Sequence, residues 1–276
     1  MKHEEYRWTS FDGLAMFAQA WSPQGAARAA VTLVHGQGDH SGRYPRLVER
    51  LVAGGIAVNA MDNRGHGRSG GPRAHTPSME ALMKDIDGHL DQTRGRFPGV
   101  PMILYGHSFG GEQVLYYGLA RTPRINGIIA SSPLLGSGIH QPAAKVIAAK
   151  VLSRIAPRLT LPHGTPPSSL SHDPSWVEAS LRDPLFQSVL SVRTAAEVLR
   201  ASAWIRSHSV FPVPLLVQQG TEDLYVSPSL TIAFARGLSG DVTLKTWEGL
   251  GHELHNELRK DEVIDTLLAW IDQHVR

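Results

Sequence analysis

The sequence predicts an α/β fold, a mostly parallel central sheet flanked by helices. Three observations carry that prediction. Short β-rich runs alternate with helical patterns along most of the 276 residues, the signature of strands joined through covering helices. One strand-to-helix junction spells Gly-x-Ser-x-Gly at 106–110, a turn found at the edge of such sheets. A chain of this length with 42% apolar residues fills one large core, and sheet enzymes are among the folds that reach that size as a single domain.

The elements follow in order. Two weaker extended stretches before residue 22 suit an antiparallel edge. AVTLVH (30–35) is a compact apolar run of strand length. From Arg43 onward Leu47, Val48, Leu51 and Val52 recur at helical spacing, and Gly54-Gly55 ends the helix. IAVNAM (56–61) is the next strand. Thr76-Pro77 reads as an N-cap followed by proline at the first helical position, ahead of the stripe Met79, Leu82, Met83, Ile86 and Leu90. PMILY (101–105), INGIIAS (125–131), PLLVQQ (214–219) and VTLKTW (242–247) are further strands, with helices over 109–120, 228–238 and 257–274. The alternation breaks between 134 and 207, where HQPAAKVIAAKVLSRIAPR precedes a proline- and serine-rich stretch. This segment is read as a cap or lid inserted in one domain of residues 1–276, beyond the carboxyl end of a strand, where open sheets place ligands.

Composition removes several function classes. Lys and Arg number 27 against 25 Asp and Glu, a net charge of +2, which leaves no broad footprint for nucleic acid. No cysteine occurs, so disulfides and thiolate metal sites are excluded. The amino-terminal MKHEEYRWTSFDG is too polar for a secretory h-region, and no apolar run reaches the roughly 18 residues of a membrane span. The expected location is cytoplasmic, with peripheral contact to a lipid surface kept open.

The chemistry centres on Ser108. A strand runs into its motif and a helix leaves it, so the chain must reverse within a few residues and strain the serine. Gly106, Gly110 and Gly111 lack the β-carbons that would clash there. The Phe109 amide then lies at a helix amino terminus, where unpaired N–H groups favour a developing oxyanion. A serine hydroxyl needs a base oriented by a carboxylate, in the chain order Ser, acid, His. Asp223 follows the strand PLLVQQG, with Glu222 as the competing acid. His252 follows VTLKTW between glycines, with His255 as the rival base, expected on the first turn of the last helix. The loop His35-Gly36-Gln37-Gly38 follows AVTLVH, where a second oxyanion donor belongs, and the Gln37 amide is the candidate.

Two other motifs are set aside. Residues 65–70 spell G-x-G-x-x-G, but Gly70-Gly71-Pro72 follows, so no helix begins there to receive a pyrophosphate. The histidines of His252-Glu253-Leu254-His255 are three apart, where a zinc-binding H-E-x-x-H needs four. No metal and no cofactor is expected.

These residues resemble the monoacylglycerol lipase and lysophospholipase branch of the α/β-hydrolases. The matching stretches are HGQGDHSGRY (35–44), DNRGHGRSGGPR (62–73), GHSFGG (106–111), DPL (183–185), QGTEDLYVSP (219–228) and GLGHELHNE (249–257). The resemblance implies a Ser108, Asp223, His252 triad and an oxyanion hole from the Gln37 and Phe109 amides. It also implies a polar wall of Asp39, Arg43 and His255 near the alcohol leaving group, with a surface salt bridge as the alternative. Asp39 and Phe109 stand where the family often has Glu and Met, and the cap matches only around Asp183.

The expected function is therefore a serine ester hydrolase releasing fatty acid and glycerol from an acylglycerol. The alternatives are a lysophospholipase, thioesterase or short-chain carboxylesterase, an aminopeptidase on the same scaffold, and, more remotely, a non-catalytic binding module. Within the cap, Val146, Ile147, Val151, Leu152 and Ile155 suggest an amphipathic helix with Lys150 and Arg154 beside it. Two roles are open to it, docking on lipid or packing as a lid on its own domain.

Overall fold

The apolar runs become strands because both faces of the sheet are covered. The computed structural model describes residues 1–138, 143–162 and 166–275. Its strands in chain order are β1 (Lys2–Thr9), β2 (Ala15–Ser22), β3 (Ala29–Val34), β4 (Ile56–Met61), β5 (Met102–His107), β6 (Gly127–Ser131), β7 (Thr160–Pro162), β8 (Val189–Ser191), β9 (Leu215–Gly220) and β10 (Val242–Trp247). The helices are α1 (Pro45–Ala53), α2 (Met79–Arg96), α3 (Phe109–Arg121), α4 (Ala143–Ile155), α5 (Pro174–Arg182), α6 (Val192–Ile205), α7 (Pro228–Gly237) and α8 (Lys260–His274).

Eight strands form one sheet in the order β1-β2-β4-β3-β5-β6-β9-β10. The first two are antiparallel to their neighbours, as expected for an edge, and the rest run parallel. Side chains divide by the two-residue period of a strand. Val31, Leu33, Ile103, Tyr105, Ile129 and Leu216 point to the face covered by α1 and α8. Val34, Leu104, Ile128, Ala130 and Val217 point to the face covered by α2, α3 and α7. Because β4 and β5 lie on opposite sides of β3, the sheet order reverses there, which opens a crevice at the carboxyl ends of β3 and β5.

Several expected boundaries move, each for a local reason. Thr76 does not cap α2; its amide donates to Thr194 Oγ1 of α6 at 2.8 Å. Ser78 caps instead, its Oγ accepting from the Ala81 amide at 3.1 Å. The last helix opens at Lys260, not 257, and Leu254–Asn256 form a separate 3-10 turn. Glu257 is held extended between them, accepting from the Gly251 amide at 2.8 Å. The first of these helices starts at Pro45 behind a 3-10 turn over Ser41–Arg43.

Between β6 and β9 run α4, β7, α5, β8 and α6, with β7 and β8 paired antiparallel. Residues 139–142 and 163–165 of the segment read as an insertion lie outside the described residues. The five apolar residues expected on one face of α4 divide. Val146 and Leu152 line a cavity that Ser108 and His252 also border, whereas Ile147, Val151 and Ile155 face outward, 61%, 48% and 76% exposed. Among the described residues no helix is long and apolar enough to cross a membrane.

Candidate active site

Each proposed site residue leaves the carboxyl end of a strand, so parallel pairing alone gathers them on one rim. Ser108 stands between β5 and α3 at φ 56°, ψ −117°, a region non-glycine residues rarely occupy. The glycines make this turn possible. A β-carbon on Gly106 would lie 2.2 Å from the Gly110 carbonyl oxygen, and one on Gly110 would lie 2.1 Å from the Val34 oxygen.

Three side chains, 108, 223 and 252 in the chain, converge. Ser108 Oγ is 2.9 Å from His252 Nε2, and His252 Nδ1 is 2.8 Å from Asp223 Oδ2. Asp223 is held in turn by the Gln219 amide nitrogen at 3.1 Å and by the Tyr225 and Val226 backbone amides at 2.8 and 3.0 Å. The competing acid, Glu222, points away toward His172, 3.7 Å distant, and is largely exposed. Burial pushes the His252 pKa down, but the Asp223 charge and hydrogen bond, with Glu253 and Asp39 nearby, outweigh it and hold the value above 6.5. With Nδ1–H donating to the carboxylate, Nε2 is left to accept the serine proton. A hydroxyl so placed can be deprotonated as it attacks.

Gln37 and Gly36 border the same cavity as Ser108 and His252, and a β-carbon on Gly36 would sit 3.2 Å from Ser108 Cβ. Phe109 is buried and opens α3, whose first-turn amides lack helical partners. The cavity measures about 300 Å³, and its far wall is apolar, built from Leu134, Val146, Leu152, Leu170, Leu190 and Val198. It fits a chain of methylene groups better than a polar substrate.

The polar wall takes a different form from a surface salt bridge. Asp39 borders the cavity, and Arg43 Nε lies 2.7 Å from its Oδ1 with both side chains buried. Arg43 also reaches Glu253 at 3.2 Å and Ser180 Oγ at 2.9 Å, and its guanidinium lies 4.8 Å from the centre of the Trp176 ring and 5.0 Å from that of Phe186. Two buried carboxylates thus share one guanidinium. Burial raises the Asp39 pKa against the pull of Arg43. Glu253 is also pushed up by burial, but Arg43, His255, Asn256 and Trp176 hold it below its ordinary value. His255 is buried, stacked on Tyr44 at 4.6 Å and edge-on to His107 at 4.9 Å, and burial lowers its pKa to about 4. His107 packs against both imidazoles, and it is His252 whose Nε2 lies 2.9 Å from Ser108 Oγ.

Sequence reasoning missed Glu253, Trp176 and Tyr225, whose ring stacks on His252 at 4.9 Å. Tyr225 was open to discovery, two residues past the proposed acid. The Arg43–Glu253 pair spans 210 positions and leaves no local signal.

Residues 25–259 match the family described as serine aminopeptidase, S33. The chain is 34% identical to an uncharacterized abhydrolase domain-containing protein of Dictyostelium discoideum over 93% of its own length, but spans only 28% of that protein. It is 34% identical to the monoglyceride lipase of Homo sapiens, covering 95% of this chain and 88% of that one. Among solved structures, the monoacylglycerol lipase of Paleococcus ferrophilus superposes with a TM-score of 0.84 at 32% identity, covering 99% of this chain and all of the other.

Proposed function

This chain belongs to the serine aminopeptidase S33 family of α/β-hydrolases, and on that premise we propose that it is a monoacylglycerol lipase-type carboxylic ester hydrolase working through Ser108, His252 and Asp223. The observation that carries the reading is the continuous hydrogen-bonded line from Ser108 Oγ through His252 to Asp223, at 2.9 and 2.8 Å, at the mouth of an apolar cavity.

The steps follow from the geometry. His252 Nε2 takes the Ser108 proton as Oγ bonds to the ester carbonyl carbon. The carbonyl electrons move to oxygen, where the Gln37 and Phe109 amides donate to the oxyanion. The oxyanion collapses, the ester C–O bond breaks, and His252 returns the proton to the departing glycerol oxygen. Water then repeats the sequence on the acyl-enzyme, releasing fatty acid and restoring Ser108. Every proton in this scheme moves between this chain's residues, substrate and water.

Amide cleavage at a free amino terminus is the weaker reading. A substrate ammonium needs a carboxylate free to receive it, and the two acids beside the cavity, Asp39 and Glu253, are both ion-paired to Arg43. In this proposal Asp39, with Arg43 and His255 behind it, orients the alcohol portion.

The segment 134–207 serves as the cap over the acyl cavity, and its outer surface suits an anionic lipid layer. Ile147, Val151 and Ile155 project from α4. Beside them a cleft of about 480 Å³ is lined by Lys150, Arg154, Arg193 and Arg200 against one carboxylate, Glu197. An apolar stripe flanked by cations is the pattern of interfacial helices.

The test of the activity is direct. A fluorophosphonate should label Ser108, and the protein should release fatty acid from a monoacylglycerol dispersed in detergent. Ester turnover surviving in Ser108→Ala protein would remove the assignment.

A further inference from the structure

The loop that carries Gln37 is held both by the α/β core and from outside it. Residues 35–40 join β3 to the 3-10 turn at Ser41. The core holds His35, which accepts from the Asn63 backbone amide at 2.8 Å and from the Asn63 side-chain amide at 3.1 Å, and Asp39, which lies 2.8 Å from the Tyr44 hydroxyl and 2.7 Å from Arg43 Nε. Gln37, Gly38 and His40 are held by the strap 183–189, which runs from the end of α5 into β8. His40 Nε2 lies 2.8 Å from Asp183 Oδ2. The Gln187 amide donates to the Gly38 oxygen at 2.8 Å, and Gln37 Nε2 donates to the Val189 oxygen at 3.1 Å.

The hydrogen positions at His40 follow from its neighbours. Its Nδ1 accepts from the Gly42 amide at 3.1 Å, so Nε2 carries the hydrogen and donates to the Asp183 carboxylate. Asp183 is itself fixed, since its other oxygen accepts from the Leu185 amide at 2.9 Å. Gly38 fits the strap closely: at φ 77°, a β-carbon there would lie 2.0 Å from the Gln187 oxygen. The strap reaches the core on a second side through Gln187 Nε2, which donates to the Gly65 oxygen at 3.2 Å.

We propose that Asp183, His40 and Gln187 form a clasp whose role is to position the Gln37 amide for the oxyanion. The strap and α5 thus act on the chemical step as well as covering the cavity. This inference rests on the reading of Gln37 as an oxyanion donor. Such a donor works only at about 2.7–3.1 Å from the developing charge, and losing one costs about 10²–10³ in kcat. A loosened donor forfeits part of that, in the transition state and not in substrate binding. Asp183 and His40 touch no reacting atom; they are positioning residues.

The experiment compares Asp183→Ala, His40→Ala, their double variant and His40→Gln with the parent, reading kcat, KM and the affinity for a long-chain alkyl trifluoromethyl ketone. The ketone forms a tetrahedral adduct carrying the oxyanion. The expected result is a fall in kcat of about 10- to 100-fold in each alanine variant, a part of the full donor loss, with KM little changed. Ketone affinity should fall in step with kcat. The double variant should be little worse than either single one, because the two side chains act as a unit. Gln at position 40 can still donate to Asp183 and should recover part of the loss. Should Asp183→Ala fail to fold, the His40 pair and Asp183→Asn, which keeps an acceptor for Nε2–H, decide the matter. Parental kcat in both alanine variants, or a loss confined to KM with ketone affinity intact, overturns the clasp while leaving the esterase reading standing. A parent that neither hydrolyses monoacylglycerol nor reacts with fluorophosphonate overturns the esterase reading instead.

Discussion

Ser108 and His252 are 144 positions apart, yet their chemistry predicts specific numbers. Ser108→Ala should lower kcat by about 10⁶ if serine and histidine act as one unit, measured as fatty acid release by the purified protein. Catalysis needs His252 neutral, and its pKa is held above the ordinary histidine value of 6.5, so kcat/KM should fall as pH drops through a midpoint higher than that of an unperturbed histidine. Asp223→Asn removes the partner that outweighs burial. The midpoint should then move to lower pH, and kcat should fall by about 10⁴, the cost of a misoriented imidazole. Glu112, fully buried in the first turn of α3, makes a separate prediction. Ser202 Oγ lies 2.6 Å from its Oε1 and 2.8 Å from the Leu134 oxygen, two acceptors for one hydroxyl hydrogen, so a protonated Glu112 supplies the second donor. Burial holds its pKa well above 4.5. The folded state therefore keeps a proton that the unfolded chain releases above about pH 4.5, and stability falls as pH rises from there toward the folded value. Glu112→Gln keeps the shape without the proton, so its melting temperature relative to the parent should be higher at pH 8 than at pH 5. Ser108 and His252, and the pair Glu222 and Asp223 as candidate acids, are legible because each follows a strand in a fixed chain order. Glu112 is not, because its partner Ser202 comes from another helix and only packing reveals the burial.

Elements explain the tolerances around the site. The turn from β5 to α3 is bounded by backbone on both sides, so a methyl at Gly110 meets the Val34 oxygen, which cannot yield as a side chain could. Gly110→Ala should cost at least the roughly 1–3 kcal/mol typical of overpacking, seen as a lowered midpoint in urea. Strands are legible almost to the residue: IAVNAM is buried on both faces and nearly apolar throughout, whereas VTLKTW, at the edge of the sheet, alternates half-buried Val242 and Leu244 with exposed Thr243 and Lys245. Helix starts are less legible. Thr76-Pro77 has the chemistry of a cap, but Thr194 competes for the Thr76 backbone and Ser78 takes the role. The same holds for α4, whose five apolar residues mark the helix but divide between the cavity and solvent. Composition alone does not tell the side of a helix that meets a cavity from the side that meets solvent.

At the scale of the molecule, the proposal gives one rim of the sheet the chemistry and the segment over it the contact with substrate. If α4 meets lipid, Ile155→Glu should weaken sedimentation with anionic vesicles and lower the ratio of turnover on vesicle-borne monoacylglycerol to turnover on a water-soluble short-chain ester. Equal binding to anionic and neutral vesicles would remove the role given to the basic cleft. The sequence by itself determined the class of fold and singled out Ser108, His252 and the loop of Gln37 as the proposed nucleophile, base and oxyanion loop, since periodicity and strand-end motifs are local and survive in a one-dimensional string. Tertiary structure decided which acid meets His252, that Asp39 and Glu253 are both engaged by Arg43, and that a strap 143 to 152 positions downstream grips the Gln37 loop. Those outcomes depend on distances between chain segments that only packing brings together, and electrostatic and hydrogen-bond energies follow distance and burial, not separation along the polymer.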